Sequence, residues 1–315
     1  MIFSFIFPGQ GSQSIGMGKA LADAFPSARQ VFEEVDDALS QKLSSMMWDG
    51  PIEDLTLTSN TQPALMATSV AAMRALDKEF GVKVTDAKFV AGHSLGEYSA
   101  LCAAGTLPLS KTALLLRLRG DAMQAAVPVG AGAMAALLGA SLEDAETVVE
   151  AGQSVGICQI ANDNATGQIV ISGEKSAVER AAEKASEIGV KKAVMLPVSA
   201  PFHCDMMQPA AEAMADALAD TLFIKPAVPV VNNVSARAIT DPDQLRDDLV
   251  AQVTGRVRWR ESIEWMAGKG GVELFAEPGC GKVLTVMLRR IVKGVEGKAL
   301  NSPEALEAFA AQLKS

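Results

Sequence analysis

Three side chains, far apart in the chain, stand in settings that can do chemistry. Ser94 sits between glycines in Gly92-His93-Ser94-Leu95-Gly96, where the apolar run Phe89–Ala91 gives way to helical sequence. A G-x-S-x-G nucleophile turn needs a strand before it and a helix after it, because the sharp turn lifts the serine oxygen out of the sheet. The glycines let backbone pass without side-chain clashes. The helix start adds unpaired N–H groups and positive potential beside an oxygen that gains charge. The competing reading is a plain helix cap, a position serine favours.

A nucleophilic serine requires a base, and the chain holds only 2 histidines. His93 adjoins Ser94, and neighbouring side chains at a turn diverge, so His93 reads as a packed residue. His203 lies between a strand end and a helix, where α/β folds gather their ligands. Cys204 is a rival nucleophile, but it occupies no glycine turn and its neighbour His203 is poorly placed to serve it.

Arg119 is the third group. On a wheel of about 100° per residue for Ser110–Gln124, Leu114, Leu115, Leu118 and Ala122 share one arc. Arg119 falls on its flank between Leu115 and Met123, and Arg117 points away. A guanidinium there is costly unless paired, so Arg119 is expected to meet a carboxylate. An internal Asp or Glu is one source, and a substrate is the other.

A second glycine turn, Gly9-Gln10-Gly11, follows the first apolar run and can bring backbone amides close to a ligand. It begins the dinucleotide fingerprint G-x-G-x-x-G, but Ser14 occupies the last glycine position and no acidic residue closes a second strand about 20 residues on. Lys19 follows Gly18, yet Gln13 stands where a P-loop needs its first glycine. Neither nucleotide motif is present.

These groups need a scaffold, and the chain has room for one. At 315 residues, 49% hydrophobic and 21% charged, it fits one large domain, or a large one carrying a smaller one. No apolar run approaches the roughly 18–20 residues that span a bilayer. The opening MIFSFIFPGQG lacks a basic flank and reads as a buried strand rather than a signal peptide. Cys102, Cys158, Cys204 and Cys280 form no C-x-x-C pair, which argues against a disulfide framework or structural zinc and fits a reducing cytoplasm. A formal charge of −9 speaks against nucleic acid or an anionic membrane as partner. An acidic partner would need a local basic patch.

Apolar runs bounded by Gly and Pro alternate with amphipathic stretches, the pattern of an α/β protein with a largely parallel sheet. Strands are expected at Ile2–Phe7, Phe89–Ala91, Ala227–Val231 and Val272–Ala276, and helices at Pro63–Phe80, Ser110–Gln124 and Met206–Ala219. Between Pro128 and Pro197 the order changes to strand Ala133–Leu138, helix Leu142–Ala151, strand Gly156–Ala161, turn Asn162–Gly167, strand Gln168–Ser172, helix Ser176–Ile188 and strand Lys192–Pro197. Ser141 and Asp144 are spaced as a capping box. The order β-α-β-β-α-β is the ferredoxin-like unit. A small domain is therefore expected at 128–198, inserted in a main domain of 1–127 and 199–315, with the chain returning at about Ser199.

Over nearly its whole length the chain resembles the malonyl-CoA:acyl carrier protein transacylase family. The resemblance lies in FPGQGSQ (Phe7–Gln13), TQPAL (Thr61–Leu65), GHSLGEYSAL (Gly92–Leu101), RGDAMQAAVP (Arg119–Pro128), GQIVISG (ending at Gly173), PFHC (Pro201–Cys204), PVVNNV (Pro229–Val234) and GKVLT (Gly281–Thr285), in that order. It implies an α/β-hydrolase-like core with a ferredoxin-like insert. It implies Ser94 as nucleophile, His203 as general base and Arg119 as the clamp on a malonyl carboxylate. The main-chain amides of Gln10 and Leu95 would form the oxyanion hole, and the carbonyl of Gln252 would hold His203 in place of a triad acid. Cys280 departs from the family's usual loop. Malonyl-CoA is the implied donor and acyl carrier protein the acceptor, with no ATP, metal or redox cofactor. Carrier proteins are acidic, so Lys282, Arg289, Arg290 and Lys293 form a candidate docking patch; the plain alternative is a solvated helix face. Phe202 is expected to narrow the pocket. A serine hydrolase and a noncatalytic carrier-binding scaffold are the other readings.

Overall fold

The computed structural model describes residues 1–198 and 200–314. The expected return at Ser199 and the terminal Ser315 lie outside the described residues. Ten strands occur among the described residues: β1 (Phe3–Phe7), β2 (Phe89–Gly92), β3 (Gly132–Leu138), β4 (Cys158–Ala165), β5 (Gln168–Glu174), β6 (Lys192–Met195), β7 (Val230–Val231), β8 (Ala238–Ile239), β9 (Leu274–Pro278) and β10 (Glu296–Leu300). They form two sheets, a six-stranded one in the order β10-β9-β1-β2-β7-β8 and a four-stranded one in the order β4-β5-β3-β6.

The larger sheet is parallel except for the β7–β8 pair. Every residue of β1 and β2 is buried, because helices cover both faces and each strand reads as a continuous apolar run instead of an alternating one. The parallel register sets Phe7 opposite Gly92. Both glycine turns therefore leave the sheet side by side at the carboxyl ends of adjacent strands, where open α/β sheets form their ligand crevices. β7 covers only Val230–Val231 of the expected Ala227–Val231. Pro229 cannot donate to a ladder; its carbonyl accepts from the Val90 N–H at its margin.

The smaller sheet is antiparallel, with the strand order of a ferredoxin-like unit. The Leu142–Gln153 helix starts on the expected reciprocal cap, Ser141 Oγ accepting from the Asp144 N–H and Asp144 from the Ser141 N–H. The expected turn at Asn162–Gly167 is corrected: β4 runs on to Ala165, absorbing irregularities at Ile160/Asn162 and Asp163/Ala165. Asparagine and aspartate favour turns, but here tertiary contacts hold them extended. Asn162 bridges to Val257, and the buried Asp163 carboxylate takes a bidentate pair from Arg260, Nη2 lying 2.8 Å from Oδ2. No helix among the described residues is long and apolar enough to cross a membrane.

Candidate active site

The turn at Ser94 is held by close backbone contacts that only glycine permits. A Cβ on Gly92 would lie 1.9 Å from the Gly96 carbonyl, and one on Gly96 would lie 2.3 Å from the Phe7 oxygen. Ser94 has φ 53°, in the left-handed region where a non-glycine residue is strained. Its peptide groups are pinned on both sides. Its N–H donates to Asn233 Oδ1 at 2.7 Å, and its carbonyl accepts from Gln252 Nε2 at 3.1 Å.

His203, likewise left-handed at φ 58°, reaches the same point from a chain position 109 residues away. Its Nε2 lies 2.7 Å from Ser94 Oγ, and its Nδ1 lies 2.9 Å from the main-chain oxygen of Gln252. A carbonyl oxygen only accepts, so Nδ1 carries the hydrogen and the Nε2 lone pair faces the serine hydroxyl. Burial, then the Arg119 charge, push the His203 pKa down to about 3, against the hydrogen bond to Gln252. The ring is a neutral acceptor at ordinary pH.

Arg119 is only 1% exposed. Its Nη1 donates to Gln62 Oε1 at 2.8 Å, and its Nη2 to Gln252 Oε1 at 3.0 Å and to Ser94 Oγ at 3.3 Å. Its Cζ lies 5.8 Å from the centre of the Tyr98 ring. Of the two carboxylate sources left open by the sequence, an internal Asp or Glu is not what Arg119 meets, since every hydrogen-bond acceptor of Arg119 among the described residues is neutral. Burial lowers its pKa, with Tyr98 and Glu97 opposing, yet a guanidinium stays charged.

The expected face of this helix, Leu109–Ala125, is corrected in part: Leu114 is 46% and Leu118 38% exposed, whereas Leu115 is buried, as are Arg119 and Met123 on its flank, and the buried stripe continues through Ala113, Leu116 and Gly120. Gly120 marked that face, because a Cβ there would stand 2.5 Å from Ser59 Cα on the neighbouring helix.

Ser94, His203 and Arg119 line one cavity of about 410 Å³ with Gln10, Leu95 and Phe202. That size suits a small-molecule site. Its far wall comes from Met134 and Val170 on the smaller sheet and from Leu196 to Val198, so the cavity opens between the two sheets. Among the described residues the main-chain N–H groups of Gln10 and Leu95 have no hydrogen-bond acceptor, whereas those of Gly11 and Ser94 are taken. Gln252 lies behind the cavity, joined to Ser94, His203 and Arg119 together.

Several residues here were not singled out in the sequence. Gln62 orients Arg119 from within the TQPAL stretch. Asn164 Oδ1 meets His93 Nε2 at 2.7 Å, and Trp259 packs on the same ring, so His93 turns away from Ser94 as expected. Asn164 lies in β4, within the stretch expected to turn. Asn233, from PVVNNV, supports the Ser94 turn. Cys204 donates to the Pro201 carbonyl, and burial raises its pKa, which disfavours a thiolate. Cys280 donates to the Ser12 carbonyl at 2.9 Å and thereby ties its loop to the first glycine turn. Lys282, Arg289, Arg290 and Lys293 are exposed on or beside the Val283–Ile291 helix.

Comparison with known proteins agrees over the whole chain. The acyl transferase domain family matches residues 4–293. The malonyl CoA-acyl carrier protein transacylase of Bacillus subtilis (strain 168) is 45% identical, over 99% of this chain and 97% of its own. The crystal structure of an acyl-carrier-protein-S-malonyltransferase from Bartonella henselae is 56% identical and superposes with a TM-score of 0.97 over 100% of both chains. A malonyl-transacylase solved in complex with its type II PKS acyl-carrier protein is 41% identical, TM-score 0.95, over 99% of this chain and 100% of its own. The chain thus belongs to the malonyl CoA-acyl carrier protein transacylase family, and its fold is that family's α/β-hydrolase-like core with a small inserted unit.

Proposed function

We propose that this chain moves a malonyl group from coenzyme A to the phosphopantetheine thiol of acyl carrier protein through a malonyl-Ser94 intermediate, serving fatty acid biosynthesis in the cytoplasm. The observation that carries the reading is the neutral His203 Nε2 lying 2.7 Å from Ser94 Oγ, with a buried guanidinium 3.3 Å from the same oxygen. A base beside the nucleophile supports covalent catalysis. A buried cation whose protein partners are neutral supports an anionic acyl group.

Ser94 Oγ bonds to the thioester carbon while its proton passes to His203 Nε2 and the carbonyl electrons move onto oxygen. The N–H groups of Gln10 and Leu95 stabilise that oxyanion. Collapse breaks the C–S bond, and the imidazolium returns its proton to the coenzyme A sulfur. The carrier thiol then gives its proton to His203, its sulfur bonds to the ester carbon, and the broken C–O bond leaves Ser94 to recover the proton. Thioester is exchanged for thioester, so the balance needs no further cofactor. Throughout, the Arg119 guanidinium holds the distal carboxylate and Phe202 bounds the acyl space. The segment 128–198, which carries the smaller sheet, acts as an inserted unit that closes the cavity.

Intact mass after mixing with malonyl-CoA should show one malonyl added at Ser94, discharged by holo carrier protein and absent from Ser94→Ala. An adduct on another residue in that variant would overturn the assignment, and release of free malonate without carrier loading would make the chain a hydrolase.

Acyl carrier protein docks, on this reading, on the basic face of the Val283–Ile291 helix. Arg290 lies both in a groove with Lys282 and Gln168 and in one with Lys191 and Lys192, so the cations run from that helix onto the smaller sheet. Reversing Arg289 and Arg290 to Glu should raise the carrier-protein KM severalfold at low salt and leave the malonyl-CoA KM alone. Steady-state kinetics against both substrates would show it, and equal KM values would remove the patch.

A further inference from the structure

Glu97 lies one turn beyond Ser94 on the Gly96–Ala103 helix and is 0% exposed. An acidic residue in a first helical turn ordinarily faces water, where the helix dipole favours it. This one points inward. Its Oε2 accepts from the Asn233 N–H at 3.0 Å and from Gln252 Nε2 at 2.8 Å. Those two residues hold the Ser94 turn. Asn233 Oδ1 accepts from the Ser94 N–H and Asn233 Nδ2 donates to the Gly92 carbonyl, each at 2.7 Å, while Gln252 Nε2 donates to the Ser94 carbonyl.

We propose that Glu97 is a positioning residue for acyl transfer, a double acceptor that locks Asn233 and Gln252 in the orientation that fixes both peptide groups of Ser94. The inference rests on the malonyl-Ser94 reading given above. Both amides could otherwise turn their oxygen and nitrogen ends about. Gln252 is held the right way round by Arg119 at Oε1 and by Glu97 at Nε2. Asn233 is held at its own backbone by Glu97, so its side chain spans from Gly92 to Ser94 without slack. The strained φ of 53° at Ser94 needs such over-determination to persist. The same Gln252 supplies the carbonyl for His203 Nδ1, so a shift of this frame moves nucleophile and base together.

Glu97 acts here as an acid in its neutral form. Its Oε1 is buried without a hydrogen-bond partner among the described residues, a poor place for half of an anion. The charged and titratable groups facing it are Arg119 on the Leu109–Ala125 helix, Asp248 on the Pro242–Thr254 helix and Tyr98 beside it. Burial, with Asp248 acting in the same direction, pushes the carboxyl pKa up to about 8 against two hydrogen bonds and Arg119. Glutamine is the isostere of that neutral acid: one oxygen to accept from both donors, and an amide nitrogen at the unpartnered position. Above pH 8 the carboxylate forms and draws on the Arg119 charge that binds the substrate.

The test is quenched-flow intact-mass measurement of Ser94 malonylation by malonyl-CoA, across a pH range bracketing about 8, for the native chain, Glu97→Gln and Glu97→Leu. Leu is expected to lower the acylation rate constant about 10²-fold, the scale of a misplacement near 1 Å, with little change in half-saturation. Gln should restore most of the rate and lack the rise in half-saturation expected of the native chain above about pH 8. Leu as fast as native, or Gln as slow as Leu, would overturn the proposal. Should Leu not fold, an alkaline rise that persists in Gln overturns it by itself. If the native chain gains no malonyl mass at Ser94, the parent reading fails instead.

Discussion

Replacing Arg119 by Ala is expected to lower kcat/KM for malonyl transfer by roughly two to four decades while lowering acetyl transfer far less. The size follows from leaving one member of a buried ion pair uncompensated, about 3–5 kcal/mol, at about 1.4 kcal/mol per decade. Arg119 already sits at 1% exposure on two glutamine oxygens. Its charge is dispersed onto neutral acceptors and is free to meet the carboxylate that a malonyl group brings. Parallel kinetics with malonyl-CoA and acetyl-CoA check this, and equal losses would return Arg119 to a structural role. A second readout is built in. The Arg119 charge is, after burial, the main cause that lowers the His203 pKa, so the acid limb of the acylation profile should move to higher pH in the variant.

Replacing His203 by Ala should slow acylation about 10²–10⁴-fold, the usual contribution of a positioned general base. Native acylation should hold its rate well below pH 6.5, because the His203 pKa lies near 3 in the folded protein against an ordinary 6.5. Stability carries the same signature. Between those values the unfolded chain binds the proton and the folded one does not. The contribution from this ring is therefore complete above 6.5 and is lost as pH falls toward 3. Thermal unfolding at neutral and mildly acidic pH should show the native chain losing more Tm on acidification than His203→Ala does. An acid limb left at the ordinary histidine value would contradict the buried neutral ring.

The legible parts of the sequence were those whose cause is local. The Gly92-to-Gly96 turn could be read from five residues because backbone contacts of 1.9 and 2.3 Å exclude any Cβ at the glycines. The Ser141–Asp144 cap and the order of the smaller sheet were legible for the same reason: capping and periodicity are set by neighbours a few residues away. Asn162–Asn164 was misread as turn because its partners, Val257 and Arg260 for the first two and His93 for the third, lie far along the chain. The buried face of the Leu109–Ala125 helix was legible only at Leu115 and its flank, because leucines stand on both sides of the helix, while the tight approach of Gly120 to Ser59 belongs to tertiary packing.

By itself the sequence determined which groups could react: one serine in a glycine turn, a histidine ahead of a helix, though eight residues past the end of β6 and not at the strand end expected, an arginine in an apolar helix and the motif order of the family. Tertiary structure alone decided that these groups meet. It set Ser94 Oγ 2.7 Å from an imidazole 109 residues on, gave Arg119 only neutral hydrogen-bond acceptors among the described residues, and ran Gln252 and Glu97 beneath the turn as its support. The physical reason is that reactivity belongs to the side-chain type, whereas distance, burial and the choice of hydrogen-bond partner arise only when strands remote in the chain are paired side by side.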